Sequence, residues 1–231
     1  MKLDINILIQ YLERLKVLEK SVINFTEDGI KCDGVSPSTV AACQSLLSKT
    51  TVTNYSPIGE IGIDDIGLLI NKLSRFNGNV ELSVNENKFL DISSSNKTMR
   101  AILPDISLFK RESKKPNLEY PGFINVPVDI VKEAIKDAEV LGTDEIKFEL
   151  NNSLLNLISE NSEEKYVVSH KLTSPSQEAK VRVPLEYLRA IFENLNEQVE
   201  VGIKSDYPLS IKFKNNIFDL TYFIAPKMSD K

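Results

Sequence analysis

The chain has 231 residues and a mass of 26.0 kDa, room for one large domain or two of roughly 115 residues each. Its 42% hydrophobic and 26% charged residues, with nine Gly and ten Pro, exclude collagen-like, mucin-like and wholly disordered chains. The net charge of −5, from 28 Lys+Arg against 33 Asp+Glu, argues against a uniformly basic nucleic-acid binder and leaves open a locally basic face.

The N-terminal run DINILIQYLERLKVL has a helical period. It sets Ile5, Leu8, Ile9, Leu12 and Leu15 on one side and Asn6, Gln10, Glu13 and Arg14 opposite. Asp4 and Glu13 do not fit a signal peptide, and apolar runs such as INILI stop far short of the ~18 residues of a membrane span. A soluble protein of the cytosol or a nucleus-like compartment is expected. Cys32 and Cys43 read as buried thiols in a reducing environment. EIGIDDIGLLINKLSRF is expected to form a second helix, with Ile63, Ile66, Leu69, Ile70, Leu73 and Phe76 inward, Arg75 opposite and Lys72 on the flank. NVELSV, KFLDIS and TMRAILPD follow as strands separated by the turn signals NEN and SSSNK.

Residues 104–122, PDISLFKRESKKPNLEYPG, hold three prolines and a charge run without period and read as an extended linker. Beyond it, PVDIVKEAIKDAEVLG is a helix burying Val131, Ala134, Ile135, Ala138 and Leu141, with Lys132 and Lys136 together on the far side. EIKFEL, LLNLIS and YVVSHKL are strands whose apolar positions alternate, as in antiparallel sheets covered on one face. VRVPLEYLRAIFENL is read as a fourth helix that packs Leu185, Leu188, Ile191, Phe192 and Leu195. It exposes Glu186, Glu193 and Glu197, with Arg189 at the flank. VEVGI, LSIKF and FDLTYFIAP are the last strands.

The two halves repeat. IGIDDIGLLINKL aligns with VRVPLEYLRAIFENL, and NVELSV with QVEVGI, at an offset of about 120 residues. The expectation is an α+β fold of two similar domains, residues 1–104 and 123–231, joined by a linker at 105–122, each with two helices packed on antiparallel sheets.

Enzyme motifs are absent: no GxxxxGK[ST], GxGxxG after a strand, HExxH, CxxC or GxSxG occurs. GEIGIDDIG at 59–67 lacks the lysine and hydroxyl of a phosphate loop. The single histidine, His170, cannot build a multi-histidine metal site and reads as a satisfied sheet residue. No cofactor or metal is expected. Asp64 and Asp65 are adjacent, so on a helix they point about 100° apart and cannot flank one bond.

The C-terminal run SDYPLSIKFKNNIFDLTYFIAPKMSDK resembles the terminus of the eukaryotic and archaeal sliding clamps of DNA replication, the proliferating cell nuclear antigen family. Asp206, Pro208 and Leu209 stand where that family has an aspartate-x-proline-leucine segment. Tyr222, Phe223, Ile224, Ala225, Pro226 and Lys227 match its aromatic run closing on Ala-Pro-Lys. PLEYLRAIFENL is similar to the family's last channel helix, and GIKCDGVSPSTVAACQSLL at 29–47 to its early strand and loop. The resemblance runs in order along almost the whole chain, and trimeric phage clamps share the architecture with less sequence similarity.

That resemblance implies a non-enzymatic processivity factor, a ring around duplex DNA that tethers a polymerase and other replication or repair enzymes. With about six domains around a duplex, two per chain imply a homotrimer. The implied partners are double-stranded DNA bound without sequence preference, clamp-binding proteins with short peptide motifs, a clamp loader, and further copies of the chain; no membrane is involved. Channel cations match at Lys16, Lys72, Arg75 and Lys136, and the outward Lys132 and the flanking Arg189 join them as candidate DNA contacts. The implied partner pocket is lined by Val35, Thr39, Val40, Pro208, Phe223, Ala225 and Pro226, with Leu118 and Tyr120 of the linker as its lid. Subunits are expected to join by edge pairing of Met99, Ala101 and Leu103 with Tyr166, Val168 and His170 of the next copy. Two departures stand out. NYSPIGEIGIDD replaces the family's basic segment before the second helix, and Glu193 and Glu197 oppose phosphate, so DNA contact is expected to be weak, mobile and salt-sensitive. The alternatives are a subunit of a hetero-oligomeric repair or checkpoint ring and, from another class, a carboxylate-based enzyme. A cytoplasmic, nucleoid or nuclear location is implied, with a viral member acting inside its host left open.

Overall fold

The computed structural model describes residues 1–85, 88–109, 118–174 and 176–227. The centre of the expected linker, residues 110–117, and the last four residues lie outside them. Contacts divide the chain into two units: Met1–Lys114 with Lys214–Leu220, and Lys115–Phe213 with Thr221–Lys231.

The first unit opens with strand β1 (Lys2–Asp4) and helix α1 (Ile5–Leu15), then β2 (Ser21–Thr26), β3 (Gly29–Val35), β4 (Ala41–Ser48), β5 (Val52–Thr53) and β6 (Gly59–Ile63). Helix α2 (Ile66–Leu73) and strands β7 (Asn79–Asn85), β8 (Phe89–Ser93) and β9 (Thr98–Ile102) complete it. One sheet runs β5-β1-β7-β8-β9, and β4-β3-β2-β6 forms a second layer. Both are antiparallel in every described pair, as short connections between consecutive strands require.

The second half of the chain repeats the order: β10 (Ile124–Pro127), α3 (Val128–Leu141), β11 (Glu145–Asn151), β12 (Leu154–Glu160), β13 (Lys165–Lys171), β14 (Ala179–Pro184), α4 (Leu185–Phe192), β15 (Gln198–Gly202), β16 (Leu209–Lys214) and β17 (Phe218–Ile224), with Lys214 and Phe218–Leu220 falling in the first unit. Its sheets run β13-β12-β11-β14 and β10-β15-β16-β17. The short strand before the first helix of each unit was not foreseen.

The helices begin later than the periodicity suggests. Ile63 belongs to β6, and the chain turns at Asp64 and Asp65, whose carboxylate accepts the Leu68 N–H at 2.7 Å. A residue satisfying an orphan donor in this way fixes the helix start. VRVP likewise closes β14, because Pro184, in the extended region at φ −62° and ψ 134°, leads into α4. Helix α3 stops at Gly142, whose φ of +65° is costly for any residue with a Cβ.

Most expected core positions are buried, including the five named for the fourth helix. Ile9 and Leu141 are only half-buried. Tyr11, which the helical reading does not name, is fully buried; its hydroxyl donates to Ile30 O at 3.1 Å or pairs with Ser45 Oγ at 2.8 Å, and its ring stacks on Phe218 at 6.5 Å. Hydrogen bonding removes the desolvation cost that would otherwise expel it. Cys32 and Cys43 are free and buried beside it; burial pushes the Cys32 thiol up to about 12, so it stays protonated at neutral pH.

Candidate functional site

In the first unit α1 packs beside α2. Asp4 caps α1 by accepting the Asn6 N–H at 2.9 Å, and the helix ends at Lys16, which is exposed. On α2 the apolar residues Ile66, Leu69, Ile70 and Leu73 face inward, which leaves Lys72 exposed on the helix; Arg75 is exposed just past its end, beyond the C-cap Ser74. Neither forms an ion pair within 4 Å among the described residues.

In the second unit α3 packs beside α4. Lys136 is exposed, whereas Lys132 is half-buried and donates to Asn196 Oδ1 at 3.0 Å. Arg189 reaches across from α4 to Glu139 of α3 at 2.9 Å, so its charge is already matched. Glu186, Glu193 and Glu197 are exposed as expected. Thus the six candidate cations differ in kind: Lys16, Lys72, Arg75 and Lys136 project freely, while Lys132 and Arg189 tie helices within their own unit.

Val35, Thr39 and Val40 stand together at the turn between β3 and β4. Buried Ser36 organises it: its N–H donates to Ala41 O at 2.7 Å, its Oγ accepts the Ala41 N–H at 3.0 Å, and its carbonyl accepts the Thr39 N–H at 2.9 Å. Thr39 takes a left-handed φ of +63°, which holds Val40 half-buried and Thr39 outward.

In the second unit the Tyr120 hydroxyl donates to the Pro208 carbonyl at 2.7 Å, joining a linker residue to one 88 positions later. The Tyr120 ring packs edge-on against Tyr207 at 5.6 Å and against Phe123 at 5.5 Å, and Gly202 admits that approach, since a Cβ there would lie 2.8 Å from Phe123. Desolvation, then the neighbouring Tyr207, raises the Tyr120 hydroxyl well above its ordinary range, so it remains a donor. Leu118, Pro208, Phe223, Ala225 and Pro226 are half-buried, leaving apolar surface partly open. The tail beyond them is fastened by Lys227. Its N–H donates to Arg182 O at 2.8 Å and its Nζ lies 2.7 Å from Asp144 and 3.4 Å from Glu145. Nothing in the Ala-Pro-Lys pattern by itself discloses those partners.

Two sheet edges are open within their own units. β9 is terminal in its sheet, with Met99 and Ala101 half-buried and Ile102 80% exposed; Leu103 lies just beyond it. β13 is terminal in the other, with Val168 and His170 half-buried and Tyr166 exposed. Among the described residues no group of three His, Cys, Asp or Glu could hold a metal, and no helix is long and apolar enough to cross a membrane.

No protein-family model matches the chain. Among characterised proteins it is similar over nearly its whole length to DNA polymerase sliding clamp 1 of Aeropyrum pernix, with 24% identity over 229 residues covering 91% of this chain and 92% of the relative. It is also 27% identical to the DNA polymerase sliding clamp of Methanococcus vannielii over 221 residues, 87% of each. Its fold matches A. fulgidus PCNA bound to the C-terminal region of FEN-1, with a TM-score of 0.88, 19% identity and coverage of 100% and 98% of the two chains. PCNA of Entamoeba histolytica matches at a TM-score of 0.85, 19% identity and 98% of each chain. End-to-end sequence similarity and a shared fold agree: along nearly its whole length the chain is similar to the DNA polymerase sliding clamps of archaea, and its fold is that of proliferating cell nuclear antigen.

Proposed function

We propose that the chain is a sliding clamp: copies of it close into a ring around duplex DNA, and the ring tethers a DNA polymerase and other replication or repair enzymes. The observation that carries this reading is the full-length similarity to DNA polymerase sliding clamps. The mechanism is topological. A closed ring cannot leave a duplex sideways, so an enzyme held by it stays near the template between nucleotide additions, and no bond is made or broken by the clamp.

Lys16, Lys72, Arg75 and Lys136 supply a sequence-independent attraction to phosphate, weak enough for sliding. Edges β9 and β13 pair between copies, a heterologous contact that closes when each copy is rotated by a third of a turn. Val35, Thr39 and Val40 of the first unit and Leu118, Tyr120, Pro208, Phe223, Ala225 and Pro226 of the second are the residues assigned to a short peptide with aliphatic and aromatic anchors, which half-buried apolar side chains suit. The FEN-1 segment on A. fulgidus PCNA supports that mode of binding. The site of action is wherever the replicating DNA lies.

The native mass tests the reading. A particle of about three times 26.0 kDa that raises polymerase processivity is expected; a 26.0 kDa monomer with no effect on processivity overturns it. A second reading, a ring of unlike subunits, is favoured by the match to the PCNA2–PCNA3 complex of Sulfolobus tokodaii at a TM-score of 0.81. Trimer formation only after mixing with a second clamp chain would select it.

A further inference from the structure

A cleft of about 590 Å³ opens where the end of α2 meets the β8–β9 hairpin. Arg75 and Lys97 bring two cations to it, and Asn77, Asn79 and Asn96 bring amides. Serine hydroxyls from the hairpin complete the polar lining; of the eight residues around it only Phe76 is apolar, and none carries a carboxylate. In a chain with 33 acidic residues against 28 basic ones, such a grouping of donors without an acid selects for an anion.

The geometry holds the donors in place. Lys97 Nζ donates to Arg75 O at 2.9 Å and stands 4.9 Å from the centre of the buried Phe76 ring. The hairpin is closed by Ser94 N–H donating to Lys97 O at 2.8 Å. An ammonium has three protons, so Lys97 stays anchored to the helix end and still has donors to offer. Arg75 lies three residues after Lys72, just past the end of α2, and both are exposed, so the cleft begins where the helix ends.

We infer that this cleft binds a phosphodiester of the DNA backbone, extending the phosphate track of α2 onto the β8–β9 hairpin, with Lys97, Asn96 and Ser95 as contacts the helix faces alone do not include. The inference rests on the clamp reading above. Amide and hydroxyl donors without base-edge geometry read phosphate rather than sequence, so every duplex is bound alike.

The test measures affinity for duplex DNA as a function of salt for the full chain, Lys72→Gln, Lys97→Gln and Ser95→Glu, with amide NMR of the same proteins titrated with DNA and with inorganic phosphate at constant ionic strength. Ser95→Glu places a carboxylate on an exposed turn and leaves the Lys97 anchor intact, so it reports even if Lys97→Gln disturbs the helix end. Lys97→Gln is expected to reduce the slope of log K against log salt by about one per occupied cleft, as Lys72→Gln does. Ser95→Glu should lower affinity several-fold at low salt. Loss of slope in Lys72→Gln alone, with both cleft variants like the parent, overturns the cleft and spares the clamp reading. Shifts of the Ser95 and Asn96 amides by inorganic phosphate but not by DNA identify a small-anion site and overturn the inference too. A parent protein that is not retained on circular DNA defeats the clamp reading itself.

Discussion

The two units repeat one order of elements but differ in how their helices start and what they show outward. α1 and α2 are each capped by an aspartate side chain, Asp4 and Asp65, whereas α3 and α4 are entered from Pro127 and Pro184 without a side-chain cap. Lys72 of α2 and Arg75 just past its end are exposed cations without ion pairs among the described residues, while Arg189 of α4 is matched by Glu139 and Lys132 by Asn196. The repeat preserves the apolar stripe, which the core enforces, and lets the outward face diverge, because a solvated surface charge is worth little to stability.

The largest effect expected concerns the edges. Proline at Ala101 in the first unit or at Val168 in the second removes a backbone donor from β9 or β13. If one edge from each unit makes every subunit contact, either change alone should convert the trimer to monomer by light scattering at micromolar concentration; two trimeric variants would refute the pairing. Next comes the proposed partner site. Val40→Glu combined with Pro226→Ser should keep the trimer yet abolish polymerase stimulation, since a desolvated charge and a lost wall remove about 1 to 3 kcal/mol from a weak contact. Full stimulation by that folded variant would exclude the site.

The charge contrast gives a smaller, sharper test. Lys72→Glu with Arg75→Glu should weaken DNA retention about tenfold more than Lys132→Glu with Arg189→Glu at low salt, because the second pair is already engaged within the protein. Equal losses would mean that the helix ties do not matter in solution. The smallest effect is in the caps: Asp65→Ala should cost about 1 kcal/mol in denaturant unfolding, whereas Lys16→Gln, exposed at the end of α1, should fall within roughly 0.5 kcal/mol of the parent.

Much of the fold was legible from period alone. The strands from NVELSV to FDLTYFIAP appear where alternation places them, since one covered face imposes a period of two. Helix starts were misjudged where a strand ran directly into a helix: Ile63 and Val183 both fit a helical stripe and both lie in strands, and only the caps at Asp65 and Pro184 separate the two periods. Tyr11 was missed because a wheel ranks side chains by polarity and knows nothing of the Ile30 carbonyl or Ser45 hydroxyl waiting for it. For the candidate site, outward cations could be read from the helical wheel, but their engagement could not. The bond from Tyr120 to Pro208 and the anchoring of Lys97 on Arg75 join residues 88 and 22 positions apart, and no local pattern encodes such pairs.

The central claim is topological, so its most direct test compares DNA forms rather than affinities. With a clamp loader present, the protein is placed on nicked circular DNA, washed in salt high enough to screen phosphate contacts, and then followed by gel filtration before and after a single cut linearises the circle. A ring is expected to stay with the circle and to slide off the ends within minutes of cutting. Equal loss from both forms, or retention that survives linearisation, would contradict it.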